Sequence, residues 1–378
     1  MAPVFRFSPV GFSWVAIHPE PKGVIQFIGG AFFGTFPTVF YRYFLRTLFE
    51  EGYTIIALPF RFSFRHWSIA IDLLKEQEIL RTELFKITGN DVYQDKASYF
   101  WLGHSLGCKY IALLEFLSGE QWKQITESCV KPQAYQQVEA IIANAGLESA
   151  SILSQPSLLV APDISNTESA VPIRAIARLL DRVGLGVLPT REQTQCFIEQ
   201  SRLFNLTAVI SFADDKLAGS ETDEFKDQKT QENSDVLWLI RQLKTRKFPI
   251  LHTELPGKHL EPLGIKVGEH IVDLNPFDKF IKLLRGRLLE RYTIQLLTQL
   301  RQRQTKVETN LESVESLISL VIAVATLLRT FLAVCFACCR RYLCPNLCGD
   351  GYMTGKSISK TARASPLWEP CNRTLTFT

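Results

Sequence analysis

Short apolar runs alternate with amphipathic stretches through the first 300 residues. Residues 23–30 (GVIQFIGG), 53–60 (YTIIALPF), 98–105 (SYFWLGHS), 138–146 (VEAIIANAG), 204–213 (FNLTAVISFA) and 249–255 (PILHTEL) are nearly continuous apolar runs closed by Gly, Pro or polar residues. Such runs predict buried strands. Helical periodicity predicts helices over 37–51, 67–88, 106–117, 234–243 and 275–304. Strands apolar on both faces and separated by helices belong to a parallel sheet covered on both sides, the doubly wound α/β class. The segment 147–202 interrupts the alternation. It is rich in Ser, Pro and short apolar patches, with an amphipathic piece at 173–183. It is expected to be a helical insertion, or lid, between two core strands.

Charge and cysteine usage divide the chain rather than describe it. The formal net charge is +4, and residues 301–378 alone carry +5, from 10 Lys/Arg and 5 Asp/Glu, so 1–300 carry −1. Six of the nine cysteines also lie in that tail. The expected organisation is therefore a near-neutral body over 1–300 and a basic, Cys-rich tail over 301–378. A body this neutral gives no reason to expect nucleic acid. Cys108, Cys129 and Cys196 are too scattered to suggest a disulfide framework, and the N-terminus does not read as a secretory signal. An intracellular location is expected, cytoplasmic or plastid. The tail's apolar segment 317–339 is long enough for the ~30 Å hydrocarbon core, with Arg329 near its middle. Membrane contact through it is one expectation, a packed amphipathic helix the other. No metal and no cofactor are expected.

Gly103-His104-Ser105-Leu106-Gly107 fits the pattern G-x-S-x-G. Its context matters more than the match. An apolar strand precedes it and a helix follows, as in a nucleophile elbow, where the serine occupies a strained turn with its hydroxyl exposed. A serine needs a base to take its proton, and for this motif an acid and then a histidine should follow in sequence. His18 and His66 precede the elbow, and His104 lies inside it with its side chain expected to point elsewhere. His252 falls within an apolar strand, and His270 is a surface candidate. His259, in Leu-Pro-Gly-Lys-His-Leu, follows a strand's carboxyl end, where doubly wound sheets build their sites. The preceding strand delivers Asp214-Asp215. Neighbours in extended chain point opposite ways, so only one can face His259. Asp215 is the expected acid, with Asp214 open. An oxyanion hole needs two backbone N–H groups. Ala31, in the glycine-rich loop Ile28–Gly34, and Leu106 are the expected donors, with Phe32 as the alternative to Ala31. The loop's spacing is not G-x-G-x-x-G, and no P-loop pattern occurs.

Together these residues resemble the α/β-hydrolase superfamily: the Gly29-Gly30 loop, the GHSLG elbow, and the order Ser105, Asp215, His259. Phe-Ala-Asp-Asp-Lys and Leu-Pro-Gly-Lys-His-Leu-Glu-Pro-Leu-Gly look more specifically like an uncharacterised α/β-hydrolase-like family of cyanobacteria and plant chloroplasts. The likeness covers roughly residues 4–290. It implies a doubly wound hydrolase fold and an unassigned substrate. A serine hydrolase acting on a small-molecule ester, thioester or lipid-like compound with an apolar acyl group is the first expectation. A non-catalytic binding or assembly protein of the same fold is the second.

Overall fold

The computed structural model describes residues 3–61, 63–164, 186–272, 281–284, 287–306, 326 and 329. The chain divides into two compact units, Met1–Asn310 and Leu311–Thr378. The first holds a doubly wound, mostly parallel sheet of eight strands, of the α/β-hydrolase type. The strands are β1 Ser8–Val10, β2 Ser13–Ala16, β3 Gly23–Ile28, β4 Tyr53–Ala57, β5 Tyr99–His104, β6 Ser157–Val160, β7 Thr207–Phe212 and β8 Leu251–Leu255. Their order is β1-β2-β4-β3-β5-β6-β7-β8. The pairs β1–β2 and β2–β4 are antiparallel, and every pair from β4–β3 to β7–β8 is parallel.

The central strands are apolar throughout because each face meets a helical layer. Val24 and Ile28 of β3 enter one core with Trp101 of β5. Ile25 and Phe27, with Phe100 and Leu102, enter the other. This is the two-residue period of a strand. The helices His66–Thr88 and Leu106–Leu117 close the first face through Leu73, Leu74, Leu80, Ile111 and Leu114. The helix Arg42–Glu50 closes the second with Phe44, Leu45, Leu48 and Phe49, joined by Leu289, Leu296, Leu297 and Leu300 of a helix over 289–306.

Two segments depart from the pattern-based expectation. Residues 138–146 are not a strand, because the helix Tyr135–Asn144 occupies them. Val138 and Ile142 are its buried positions, four apart, with Ile141 packed alongside. The true sixth strand is Ser157–Val160, inside the segment expected to be an insertion. It is only four residues long, wholly buried, and flanked by Pro156 and Pro162. The amphipathic piece 173–183 lies outside the described residues. Nor is 275–304 one continuous helix. Ile265–Val267, His270–Val272 and Ile281–Leu283 form a small antiparallel sheet, and helix is described only over 289–306 in that region.

The body cysteines need a correction too. Cys129 and Cys196 form a disulfide, 67 residues apart in sequence, tying the end of helix Trp122–Cys129 to the middle of helix Arg191–Gln200. Two lone cysteines at that separation carry no spacing signal; the packing of the helices brings them together. Among the described residues, no helix is long and apolar enough to cross a membrane. Of the segment 317–339, only Thr326 and Arg329 are described.

Candidate active site

Four loops leave the carboxyl ends of parallel strands β3, β5, β7 and β8, where ligands of doubly wound sheets bind. They carry Gly30–Ala31, Ser105, Asp215 and His259. Ser105 lies between β5 and the helix Leu106–Leu117 with φ 54 and ψ −122, a conformation unfavourable for a residue with a Cβ. Tight packing around the elbow holds it there. A Cβ on Gly107 would collide with the Ile28 carbonyl oxygen, so only glycine lets the new helix start against the end of β3.

His259 connects the other two side chains. Its Nε2 is 2.8 Å from Ser105 Oγ, and its Nδ1 is 2.8 Å from Asp215 Oδ2. All three residues are at most 7% exposed. The Asp215 carboxylate accepts only, so Nδ1 carries the ring proton and Nε2 is free to accept from the serine hydroxyl. The second oxygen, Oδ1, accepts from the N–H groups of Leu217 and Ala218, at 2.8 and 3.0 Å. These bonds fix the carboxylate plane. Asp214 points to solvent, while its N–H donates to the Gly257 carbonyl at 3.0 Å and pins the two loops together. Gly257 has φ 136, a conformation that admits glycine and little else, and so the chain turns back toward the sheet two residues before His259.

The Gly29-Gly30 loop sits against Ser105. A Cβ placed on Gly30 would be 3.1 Å from Ser105 Cβ. The Gly30 carbonyl accepts from Gly34 N–H at 2.6 Å, which closes the loop on itself. Ala31 follows, half-buried, and Phe32 projects outward at 62% exposed. Leu106, the first residue of its helix, supplies an N–H at a helix N-terminus, where such groups have no intrahelical partner.

His252, His270 and His66 lie outside this arrangement. His252 Nε2 meets Ser211 Oγ at 2.9 Å on neighbouring strands, and burial lowers its pKa to about 4. His270 is exposed on the small sheet, and His66 is buried beside the Tyr110 ring. His104 bonds Tyr41 and the His259 backbone instead of the serine hydroxyl. Its Nδ1 is 2.9 Å from Tyr41 Oη, and its Nε2 is 2.8 Å from the His259 carbonyl oxygen. Tyr41 Oη accepts in turn from the Gly30 N–H at 2.8 Å. Tyr41 was not marked by any sequence pattern. Its ring is fully buried between two short helices, where a tyrosine reads as ordinary core.

A model of one protein family matches residues 7–302 of the chain, the proteins of unknown function DUF1350. The chain belongs to the DUF1350 family. No curated protein matches it in sequence. Among solved structures, this DUF1350 protein is similar to esterase B from Lactobacillus rhamnosis, at 13% identity and a TM-score of 0.45 over 77% of this chain and 80% of that one. It is also similar to the carboxylesterase Cest-2923 from Lactobacillus plantarum, at 11% identity and a TM-score of 0.41 over 74% and 86% of the two chains. A thermophilic esterase, Est2 of Thermogutta terrifontis, shares 12% identity at a TM-score of 0.39 over 76% and 86%. At such distances chains diverge freely in substrate and reaction.

Proposed function

We propose that this protein is a serine hydrolase that cleaves an ester or thioester bond of a small molecule with an apolar acyl group. One observation carries the reading: His259 stands at 2.8 Å from both Ser105 Oγ and Asp215 Oδ2, in the donor order that activates a serine. His259 takes the Ser105 proton as Oγ attacks the substrate carbonyl. Asp215 holds the ring's tautomer and stabilises the imidazolium that forms. The N–H groups of Ala31 and Leu106 receive the developing oxyanion, worth about 3–4 kcal/mol per donor in comparable sites. His259 then returns the proton to the leaving alcohol or thiol. Water, activated by the same imidazole, releases the acyl group from Ser105. Phe32 and Leu217, 62% and 57% exposed on the loops that carry Ala31 and Asp215, support an apolar substrate. Membrane contact through 317–339 belongs to the same proposal as a means of reaching lipid-like esters.

The test is covalent labelling of the full chain with a fluorophosphonate probe. Wild type is expected to label and Ser105→Ala to stay unlabelled while melting at a similar temperature. A folded wild type that does not label supports the non-catalytic reading instead.

A further inference from the structure

Five polar groups behind the elbow form one continuous hydrogen-bonded chain. Gly30 N–H, Tyr41 Oη, His104 Nδ1, His104 Nε2 and the His259 carbonyl oxygen follow one another at 2.8, 2.9 and 2.8 Å, the imidazole ring bridging the last two contacts. Tyr41 and His104 are both 0% exposed, so water does not compete for these bonds. Chemistry leaves one arrangement of the protons. A carbonyl oxygen only accepts, so His104 carries a proton on Nε2. In the neutral ring Nδ1 is then an acceptor, so the Tyr41 hydroxyl must donate to it. The Tyr41 oxygen is thereby free to accept from Gly30. A doubly protonated His104 would leave the Tyr41 proton without an acceptor along this chain. Burial, with His259 nearby, lowers the His104 pKa to about 3 and keeps the neutral form throughout the physiological range.

The two ends of this chain are the two loops that must meet at the reacting carbonyl. At one end, Gly30 has both backbone groups engaged, its N–H by Tyr41 and its C=O by Gly34. Its N–H is therefore committed away from the substrate, and the next N–H, that of Ala31, falls to the oxyanion. At the other end His259 is gripped twice, by Asp215 through its ring and by His104 through its carbonyl. We propose that Tyr41 and His104 are positioning residues, whose single proton order locks the oxyanion loop and the His259 loop into register with each other. The proposal rests on the serine-hydrolase reading. It also gives the variable position of the G-x-S-x-G motif a task in this chain: histidine there both donates to and accepts from groups on opposite sides of the site.

Three variants of the full chain and one spectroscopic measurement test it. Tyr41→Phe removes the hydroxyl and keeps the ring. His104→Ala removes the link, and His104→Gln restores a side-chain N–H able to reach the His259 carbonyl. On a short-chain p-nitrophenyl ester, Tyr41→Phe is expected to lower kcat about tenfold or more, with KM changed less than about twofold. His104→Ala is expected to lose more, and His104→Gln to recover part of that loss. Fluorophosphonate labelling rates should follow kcat. In wild type, ¹⁵N NMR of the His104 ring should show Nε2 protonated and Nδ1 unprotonated, unchanged from pH 5 to 8. A proton on Nδ1, or titration within that range, overturns the assignment. So do variants that label and turn over at the wild-type rate per folded molecule. A folded wild type that fails to label sinks the hydrolase reading and the positioning role together. A labelled wild type with indifferent variants sinks the positioning role alone.

Discussion

Asp214 and Asp215 differ by one position and face opposite environments. Asp215 is 3% exposed and bonded to His259, whereas the Asp214 side chain lies in solvent. The pair sits in a turn just past β7, closed by the Asp215 N–H on the Phe212 carbonyl at 3.1 Å, rather than in extended chain, so sequence could name the pair but not the member. In the proposed reaction Asp215→Asn places a donor where the ring needs an acceptor and favours the wrong tautomer. Its kcat is expected to fall roughly 10²–10⁴-fold, and that of Asp214→Asn to stay within about twofold. Steady-state rates on one ester substrate decide this, and equal mild losses would refute the assignment. His104 teaches the converse. Pattern alone expects its side chain to turn away from Ser105; what it meets depends on Tyr41, which sequence had no means to select.

At the scale of elements, the elbow depends on how closely one helix approaches one strand. The helix Leu106–Leu117 starts against the Ile28 carbonyl with only Gly107 between. Gly107→Ala is expected to cost about 1–3 kcal/mol through overpacking. Gly119, just beyond the other end of that helix, has no contact closer than 3.5 Å to an added Cβ, and Gly119→Ala should melt near wild type. Thermal melts of the two variants test the contrast. A second junction ties Asp235, at the start of the helix Asp235–Lys244, to Arg191 of the helix Arg191–Gln200 at 2.6 Å. Asp235 also accepts from the Ile164 N–H at 2.8 Å. Burial outweighs the Arg191 charge and raises its pKa from 3.8 to about 6, with Asp163 adding repulsion. The folded state therefore holds this proton more tightly than the unfolded chain does. The resulting stabilisation, on the order of 3 kcal/mol, is present below about pH 4 and lost as pH rises to about 6. Asp235→Asn removes that slope. The Tm of the variant relative to wild type should climb between pH 4 and 6 and level off above; a flat difference would contradict it.

Over the whole molecule, the charge and cysteine asymmetries of the sequence concern a tail that lies almost wholly outside the described residues. The body's own C-terminal anchor is more consequential. Leu289, Leu296, Leu297 and Leu300 fill the second core, and Arg301 and Gln304 bond the Ala97 carbonyl at 2.7 and 2.8 Å. Four buried leucines are worth roughly 6–12 kcal/mol, comparable with the whole stability of an ordinary domain. A chain ending at 288 should fail to fold, while one ending at 310 should melt cooperatively and label with the probe at the wild-type rate. Circular dichroism and labelling distinguish them. For the tail, flotation of full-length protein with lipid vesicles, set beside 1–310, tests membrane contact; identical behaviour would remove it from the proposal.

Sequence alone determined the fold class, because continuous apolar strands separated by helices leave few ways to bury both sheet faces. It also marked the strand ends at which Ser105, the Asp214-Asp215 pair and His259 stand, through turn chemistry that is local. It misplaced the sixth strand, because four apolar residues between prolines say less than a longer apolar stretch that proves helical. Tertiary structure decided which aspartate turns inward, that Cys129 meets Cys196, and that Tyr41 and His104 join two distant loops. Each of these depends on side chains brought together across tens of residues, and no local period or spacing records such a meeting.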